Sequence, residues 1–428
     1  MLTDRFGLEL TTTSVAARDA YVAAVDRLLA AGAETEQAFC AAIELDPDFA
    51  LAHLGRARCL ALYSRGADAR AAATRARELS VSATWRERQH VEALALAIEG
   101  QPASSLAATL AHLDEFPRDA MVLAPATGVF GLYGFSGRLE REHELLALMD
   151  RLAPHYVDDW WFPAQHAFAQ CECGQLGAAE VLAQRALELN PANGWAAHAR
   201  AHVYYELGED RESDRFLTNW RPNFPNGAQL HGHIAWHGAI CALMLGDADR
   251  ALAIFNADLR PSHAEGPPVL VLTDAAALLW RIELAGGSRH NEAWPLLHAY
   301  AHEKFPKSGV TFADVHNAVI FAVTGDRDSS ARLANELRAG IGKQWAADIA
   351  EPIARGFEAF ANEDWSGAID AMAPIVASLV RIGGSRAQRD LIENTLLAAY
   401  LRGGRSGEAK ALLARRAVRR PTVPVAGL

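Results

Sequence analysis

Two stretches in the middle of the chain carry histidines at spacings that could support chemistry. They are "HARAH", which runs from His198 to His202, and "LHGHIAWH", which contains His231, His233 and His237. Each stretch holds one pair of histidines four residues apart, and side chains so spaced share one face of a helix. His231 is two residues from His233 and therefore points elsewhere. The sequence predicts two imidazole pairs, each on a single helix face.

Such pairs have three interpretations, and the residues alone leave all three open. The rings could have packing roles, line a pocket that binds or transforms a small molecule, or bind a transition metal such as zinc, iron or nickel. The chain has no HExxH motif, and the nearby carboxylates of Glu206 and Asp314 are not assigned as ligands. No other cofactor is predicted. If a metal binds, its candidate ligands are His198, His202, His233 and His237.

Length and composition limit the classes of protein that need to be considered. At 428 residues, the chain exceeds the size at which one hydrophobic core stops growing, about 250–300 residues. A net charge of −11 argues against a nucleic-acid partner. The five cysteines are an odd number without framework spacing, which is typical of free thiols in a reducing compartment. We therefore expect a cytoplasmic protein.

Neither a signal peptide nor a membrane span is predicted. The first residues, "MLTDRFGLEL", have no basic region followed by an apolar one, as a signal peptide would. The longest apolar run, Pro267 to Trp280, is interrupted by Asp274 and is too short to cross a bilayer. The sequence therefore gives no reason to expect a membrane partner, and it does not indicate an oligomeric state.

Glycines that separate apolar segments recur along the chain at intervals of 34–40 residues. "ALELNP" and "AIELDP" end two of the units in the same way, because a proline cannot continue a helix. Repeats of this length that hold two helical segments each are typical of tetratricopeptide arrays. The sequence predicts an all-α, strongly curved tetratricopeptide-like α-solenoid of about eleven helical hairpins, with no sheet. It forms one domain, 1–428, with an N-terminal extension (1–20) and a C-terminal tail (415–428).

Four histidines lie at similar heights on the first helices of their hairpins. His90, His198, His237 and His316 precede their turn glycines by nine or ten residues. First helices line the concave surface of a tetratricopeptide array, so we expect these side chains to converge there. Neighbouring helices pack about 10 Å apart, which would let the two histidine pairs face each other. We predict catalytic roles for His198, His237 and His316.

Several further residues are candidates for ligand binding. Asp274 and Arg281 are seven residues apart on an apolar helix, as a buried ion pair or an anion-binding arginine would be. Arg389 follows a capping box formed by Ser385 and Gln388, and we predict that it points inward, within ligand reach. The full set of predicted ligand-binding residues is His90, His202, His233, Trp236, Asp274, Arg281, Asp314, Gln388 and Arg389.

Several motifs together resemble the tetratricopeptide repeat protein 38 family over essentially the whole chain. They are "TWRERQHVEALA", "WAAHARAH", "WHGAI", "LLWRIEL", "DVHN" and "GGSRAQRD". The resemblance implies a compact tetratricopeptide solenoid whose biochemical activity is not well defined. Positions matching these motifs are His90, His198, His202, His237, Asp314, His316, Gln388, Arg389 and Asp390.

The chain departs from that family at one position. Relatives tend to carry a glutamate three residues after the second histidine of the first pair, where this chain has Tyr205 and a displaced Glu206. A ligand or base role for that glutamate therefore does not transfer directly.

Polar residues on inner helices favour a pocket over a plain scaffold. The function predicted from the sequence is an α-solenoid with a histidine-lined concave pocket that binds a small polar or anionic metabolite and acts on it by acid–base chemistry. The alternative is a non-catalytic adaptor that binds a partner peptide or protein in its groove.

Overall fold

The computed structural model describes residues 1–340, 345–417, 420 and 423–428, and within them it contains 22 α-helices, most of which pack against the next helix in the chain. This confirms the predicted all-α repeat architecture. In chain order the helices are α1 Val15–Leu29, α2 Thr35–Leu45, α3 Ala50–Leu62, α4 Gly66–Ser80, α5 Trp85–Ile98, α6 Pro102–Glu115, α7 Ala120–Thr127, α8 Arg141–Leu152, α9 Phe162–Glu172, α10 Leu176–Leu189, α11 Gly194–Leu207, α12 Asp210–Trp220, α13 His231–Met244, α14 Ala248–Ile254, α15 Pro268–Leu284, α16 Trp294–Lys304, α17 Thr311–Thr324, α18 Arg327–Arg338, α19 Ala347–Ala361, α20 Trp365–Met372, α21 Arg386–Arg402 and α22 Ser406–Ala417.

The N-terminus contains a small sheet that the sequence did not predict. Strands β1 (Leu2–Thr3) and β2 (Glu9–Leu10) pair antiparallel. Asp4 holds the connecting turn, because its carboxylate accepts the backbone N–H groups of Phe6 and Leu8, both at 2.9 Å. The expectation of no sheet was wrong here, since two residues per strand are too few to produce a recognisable alternating pattern.

Both predicted terminal segments contribute to the packed structure. Helix α1 begins inside the segment 1–20, and α22 ends at Ala417, inside the segment 415–428. Arg416 and Arg420 of that tail are buried. Residues 418, 419, 421 and 422 of the predicted tail lie outside the described residues.

Most of the predicted turn glycines are in the left-handed region that ends a helix tightly. Gly174, for example, has φ = +79° between α9 and α10. In the first two pairs non-glycine residues take this role, namely Ala31 (φ = +57°) and Ser64 (φ = +61°). Glu363 (φ = +60°) does so in the turn "NEDW" that has no glycine. The repeat therefore fixes where the chain turns, while glycine is only the commonest residue to make the turn.

Helix α10 contacts its neighbours through small side chains. On α10, Ala179, Ala183 and Ala186 are fully buried and lie on one face. This face allows α10 to pack closely against α9 and α11. The five cysteines are free thiols, as predicted.

The C-terminal pairs return against the middle of the chain. The Arg141 guanidinium donates to the carbonyl oxygens of Val380 (2.8 Å) and Gly384 (2.6 Å). The Tyr205 hydroxyl on α11 donates to Asp390 on α21 at 2.6 Å. The connection between α1 and α2 also contacts the middle of the chain, because the Gly194 N–H at the start of α11 donates to the Ala30 carbonyl at 3.1 Å. The strongly curved array therefore closes on itself.

One segment among the described residues, Trp365–Ile382, is long and apolar enough to cross a membrane by its length and composition alone. Its backbone changes from α-helix to 3₁₀-helix at Ala373, and it packs against α19 and α21. These contacts are those of a repeat element within the array.

We expect Gly384→Ala to destabilise the fold far more than Gly404→Ala. Both glycines have φ = +71°, so alanine carries the same left-handed backbone penalty of about 1–2 kcal/mol at each. A Cβ on Gly384 would also lie 2.4 Å from the Phe312 ring, whereas Gly404 has open space. The clash adds about 1–3 kcal/mol. Urea unfolding of the two variants measures the difference, and equal losses would show that the C-terminal return is loosely packed.

Candidate functional site

The two predicted histidine pairs meet between adjacent inner helices. Helix α11 carries His198 and His202, and α13 carries His233 and His237. The Nε2 atom of His198 lies 3.0 Å from that of His202 and 3.1 Å from that of His233. Each of the four rings offers a nitrogen, and these atoms all lie within 4.8 Å of one another. All four side chains are buried. This group is called the four-histidine cluster below.

The four rings do not carry enough N–H protons to form a hydrogen bond between every two nitrogens that face each other. His233 Nδ1 lies 2.8 Å from Asp274 Oδ2 and donates to it, so that Nε2 is the nitrogen of this ring that faces the cluster. The Nε2 of His198 can carry only one proton for its two close nitrogen neighbours. The Nε2 of His237 is buried and has no hydrogen-bond partner among the described residues. Lone pairs thus converge on a common point.

Three of the four rings are held in their neutral form. Burial, followed by the neighbouring histidines, lowers the pKa of His198 and of His237 well below the usual value. Burial, then His233 and Arg389, does the same to the pKa of His202. Neutral imidazole is the form that binds a metal. A general acid would need the imidazolium, which burial disfavours here, so the cluster is better suited to coordination than to proton transfer near neutral pH.

Two carboxyl groups lie behind the cluster. Asp274 on α15 is fully buried against His233. Glu172, at the end of α9, places Oε1 3.8 Å from His202 Nδ1. Burial, followed by Glu142, raises the pKa of Glu172 to about 8. Carboxyl groups on the outer nitrogens of metal-binding histidines orient the rings and raise their basicity. Sequence inspection missed Glu172, since "CECG" offers no spacing signal that links it to a histidine.

Aromatic rings pack against the imidazoles and restrict their orientation. Phe168 stacks on His198 with ring centroids 5.2 Å apart. Trp236 lies parallel to His233 at 5.5 Å, with an angle of 9° between the planes. The predicted ligand-binding residue Trp236 is therefore a packing neighbour of the cluster, fully buried on α13.

A cavity of about 620 Å³ lies at the centre of the closed array. His198 and His233 form part of its wall, together with Phe168 and Trp195. Inner helices from both halves of the chain contribute the rest of the wall, which is mainly apolar. The volume is in the range of small-molecule sites. The cluster thus has one side on the cavity and the other on buried carboxyl groups.

His90 belongs to a different buried network. Its Nδ1 lies 3.0 Å from Asp119 Oδ2, which also accepts from His112 Nε2 (3.1 Å) and Arg86 (2.6 Å). His90 is on α5, three helix pairs before α11. The expectation that it converges with the other histidines was wrong, because equal height on an inner helix does not make non-adjacent pairs meet.

His316 and Asp314 are also outside the four-histidine cluster. His316 Nδ1 donates to the Phe312 carbonyl at 2.7 Å, and burial lowers the pKa of this ring to about 4. Asp314 accepts from the Ser308 hydroxyl (3.2 Å) and the Gly309 N–H (3.3 Å). Burial raises the pKa of Asp314 to about 7. His316 is therefore a neutral core histidine, and its predicted convergence with His198 and His237 was wrong.

We expect His316 to make the protein less stable in acid. Its pKa falls from 6.5 in the unfolded chain to about 4 in the folded one, so its contribution is complete above pH 6.5 and is lost as the pH falls towards 4. Between pH 7.5 and 5 this loss amounts to about 2 kcal/mol. Urea unfolding of wild type and His316→Gln at both pH values measures it. The titration of Asp314 changes stability with the opposite sign, but Asp314 is present in both proteins, so its effect cancels in the comparison. Parallel pH profiles of the unfolding free energy for wild type and His316→Gln would contradict the prediction.

Arg281 does not form the expected ion pair with Asp274. Its guanidinium donates to the Ala387 carbonyl and lies 5.6 Å from the centre of the Trp236 ring. Asp274 binds His233 instead. A spacing of seven residues put both side chains on one side of α15, but the partner of each lies on another helix.

The residues of "GGSRAQRD" occupy the C-terminal return. Ser385 and Gln388 form the predicted capping box at the start of α21. Arg389 is buried, donates to Glu142 at 2.7 Å and lies 3.8 Å from Glu172. Its charge is thus paired with acidic side chains, and it reaches the cluster only through Glu172.

Sequence inspection missed a second imidazole group on the outer side of the array. His298 and His302, four residues apart on α16, place their Nε2 atoms 2.8 and 3.3 Å from Asp326 Oδ2. All three side chains are half-exposed, and Asp326 also caps α18 through Ser329. The i, i+4 histidine spacing was a readable signal here.

No model of a known protein family matches the chain. Among solved structures, the chain is similar to a human IFIT1 dimer with PPP-AAAA, at 15% identity and a TM-score of 0.45, over 97% of this chain and 93% of that one. It is also similar to the TPR domain of P58(IPK), at 15% identity and a TM-score of 0.20, over 91% and 99% of the two chains. With TM-scores below 0.5, neither likeness contributes to the functional argument.

Proposed function

We propose that the protein binds a transition metal at the four-histidine cluster and a small molecule in the cavity beside it. The observation that carries this proposal is the convergence of four buried imidazoles beside the cavity, two of which form part of its wall. A tetrahedral zinc with nitrogen ligands at about 2.0–2.1 Å separates those nitrogens by about 3.4 Å. The observed separations of 3.0 and 3.1 Å are close to that value.

The surroundings support a dication at this point. Four neutral imidazoles leave its two charges uncompensated, and a buried charge is costly unless it is balanced. Asp274 lies behind His233, and Glu172, whose pKa is raised to about 8, would supply negative charge behind His202 once a nearby dication favoured the loss of its proton. The cavity then brings a ligand to the open side, through His198 and His233. The metal could polarise a bound oxygen there, while the aromatic walls would exclude water.

The adaptor alternative rests on the tetratricopeptide-like architecture itself. Such an adaptor grips a peptide in its groove, and here the groove contains a partly open, mainly apolar cavity among the inner helices. We also propose, on the sequence motifs described above, that the chain is a member of the tetratricopeptide repeat protein 38 family.

The test is elemental analysis of protein purified without a polyhistidine tag. We expect about one equivalent of transition metal per chain, or uptake of one equivalent of Zn²⁺ in equilibrium dialysis. The variant His298→Ala/His302→Ala removes the outer imidazole group and is the matched control; it should keep the metal. Protein that is metal-free and takes up no Zn²⁺ would rule the metal out.

The cavity is tested separately by thermal shift. Ligands that bind only the folded state raise its stability by RT ln(1 + [L]/Kd). Stabilisation of the wild type by small molecules supports the cavity. Stabilisation by peptides or proteins alone would support the adaptor instead.

A further inference from the structure

The cavity wall has an unusual charge distribution. Among the described residues that line it are two arginines, Arg58 and Arg381, and two histidines of the cluster, but there is no aspartate or glutamate. Arg381 is already paired, because its guanidinium donates to both carboxylate oxygens of Asp348 at 2.7 and 3.1 Å. Arg58 on α3 is therefore the uncompensated cation of the described lining.

The contacts of Arg58 are weak. Its Nη1 lies 3.4 Å from the Met121 carbonyl oxygen and 3.8 Å from the Met121 sulfur. No carboxylate of the described residues is recorded within ion-pair distance of it. Burial without a counter-charge lowers the pKa of Arg58 to about 10. Its guanidinium is still charged at neutral pH.

Three of the buried arginines of this chain have a carboxylate partner at short distance. Arg86 pairs with Asp119 at 2.6 Å, Arg389 with Glu142 at 2.7 Å and Arg416 with Asp390 at 2.7 Å. Removing a guanidinium from water is costly unless a counter-charge is present. Arg58 lacks such a partner, and so does Arg281, which donates to a backbone carbonyl instead. Of these arginines only Arg58 lines the cavity among the described residues.

The rest of the wall is suited to an apolar body. Leu28, Leu62, Leu94 and Ile98 lie on the same side of the cavity as Arg58, on α1, α3 and α5. Aromatic rings, among them Phe130, Phe135, Trp161 and Trp195, supply much of the remainder. A ligand that fills this space gains its affinity mainly from apolar burial.

We infer that the cavity ligand is an apolar monocarboxylate, of the fatty-acid or aryl-alkanoate type, whose carboxylate pairs with Arg58 while its body lies along the apolar wall. The inference rests on the proposed cavity function and names the class of its ligand. A guanidinium and a carboxylate form two parallel hydrogen bonds. The carboxylate of the ligand would supply the negative charge that no described side chain places beside Arg58.

Decanoate and 1-decanol test this class, because they share an apolar chain and differ in charge. In calorimetric titrations of delipidated protein we expect wild type to bind decanoate at least about tenfold more tightly than 1-decanol, in keeping with the strength of charged hydrogen bonds. Arg58→Met keeps the length of the side chain but removes the charge. It should lose that preference and bind decanoate at least about tenfold more weakly than wild type.

Arg56→Met is the matched control. Arg56 lies on the same helix, is half-exposed beside Glu36 at 3.4 Å and does not line the cavity, so its loss should leave decanoate binding unchanged. If the Arg58→Met variant binds decanoate as tightly as the wild type does, the inference is wrong. If the wild type binds 1-decanol but not decanoate, the ligand is not a carboxylate, but the proposal that the cavity binds a small molecule stands. If neither probe binds, the cavity function fails as well.

Discussion

His198→Ala/His237→Ala is expected to bind Zn²⁺ at least about a thousandfold more weakly than the wild type. The two substitutions remove one ligand from each of α11 and α13, so that two of the four converging nitrogens remain. Complete four-ligand zinc sites bind with about 10–16 kcal/mol, and losing half of the ligands removes several kcal/mol of that. Competition with a chromophoric chelator measures the change.

Two comparisons separate coordination from folding in this experiment. Alanine leaves cavities in the core, so His198→Leu/His237→Leu, which fills the space, should lose Zn²⁺ to the same extent. The outer variant His298→Ala/His302→Ala should retain the wild-type affinity. A double variant at His198 and His237 that still binds Zn²⁺ like the wild type would place the metal elsewhere.

Asp390→Ala is expected to lower the free energy of unfolding by about 3 kcal/mol, because the buried Arg416 guanidinium then keeps only its ion pair with Glu393. Asp390 accepts two hydrogen bonds from Arg416, at 2.8 and 2.7 Å, and one from the Tyr205 hydroxyl. Burial by itself raises the pKa of Asp390, but Arg416 and Arg281 outweigh it and hold that pKa well below its usual value. The carboxylate therefore joins α11, α21 and α22.

A double-mutant cycle tests that interpretation. Arg416→Met removes the charge that Asp390→Ala would leave with Glu393 as its one acidic partner, so the double variant should recover about 1–2 kcal/mol of the loss. Urea denaturation of the wild type, both single variants and the double variant gives the four values needed. Strictly additive losses would mean that Asp390 and Arg416 act independently.

The parts of the fold that depend on local pattern were predictable. Helix ends carry proline, glycine or a capping box, and the period of 34–40 residues follows from them. The meeting of His198 and His233 was predictable for the same reason. Their helices belong to adjacent repeats, and adjacent repeats pack in a known way.

The parts that depend on distant packing were not predictable. Glu172 reaches His202 because α9 packs against α11, and Asp274 reaches His233 from α15. Nothing in the spacing of these residues reveals such contacts. The prediction that His90 and His316 converge with the other histidines was wrong because their helices are separated from the four-histidine cluster by other helices.

The closure of the array by its C-terminal pairs changes how the protein should unfold. In an open solenoid each repeat contacts only its neighbours, so the ends fray and unfolding can proceed stepwise. Here Arg141 and Tyr205 in the middle of the chain bind backbone and side-chain groups near Gly384 and Asp390. Contacts spanning some two hundred residues make terminal fraying costly, and they also slow folding, because long loops must close first. The chain should therefore behave thermodynamically as one cooperative unit, in which a terminal repeat cannot be removed without loosening the centre.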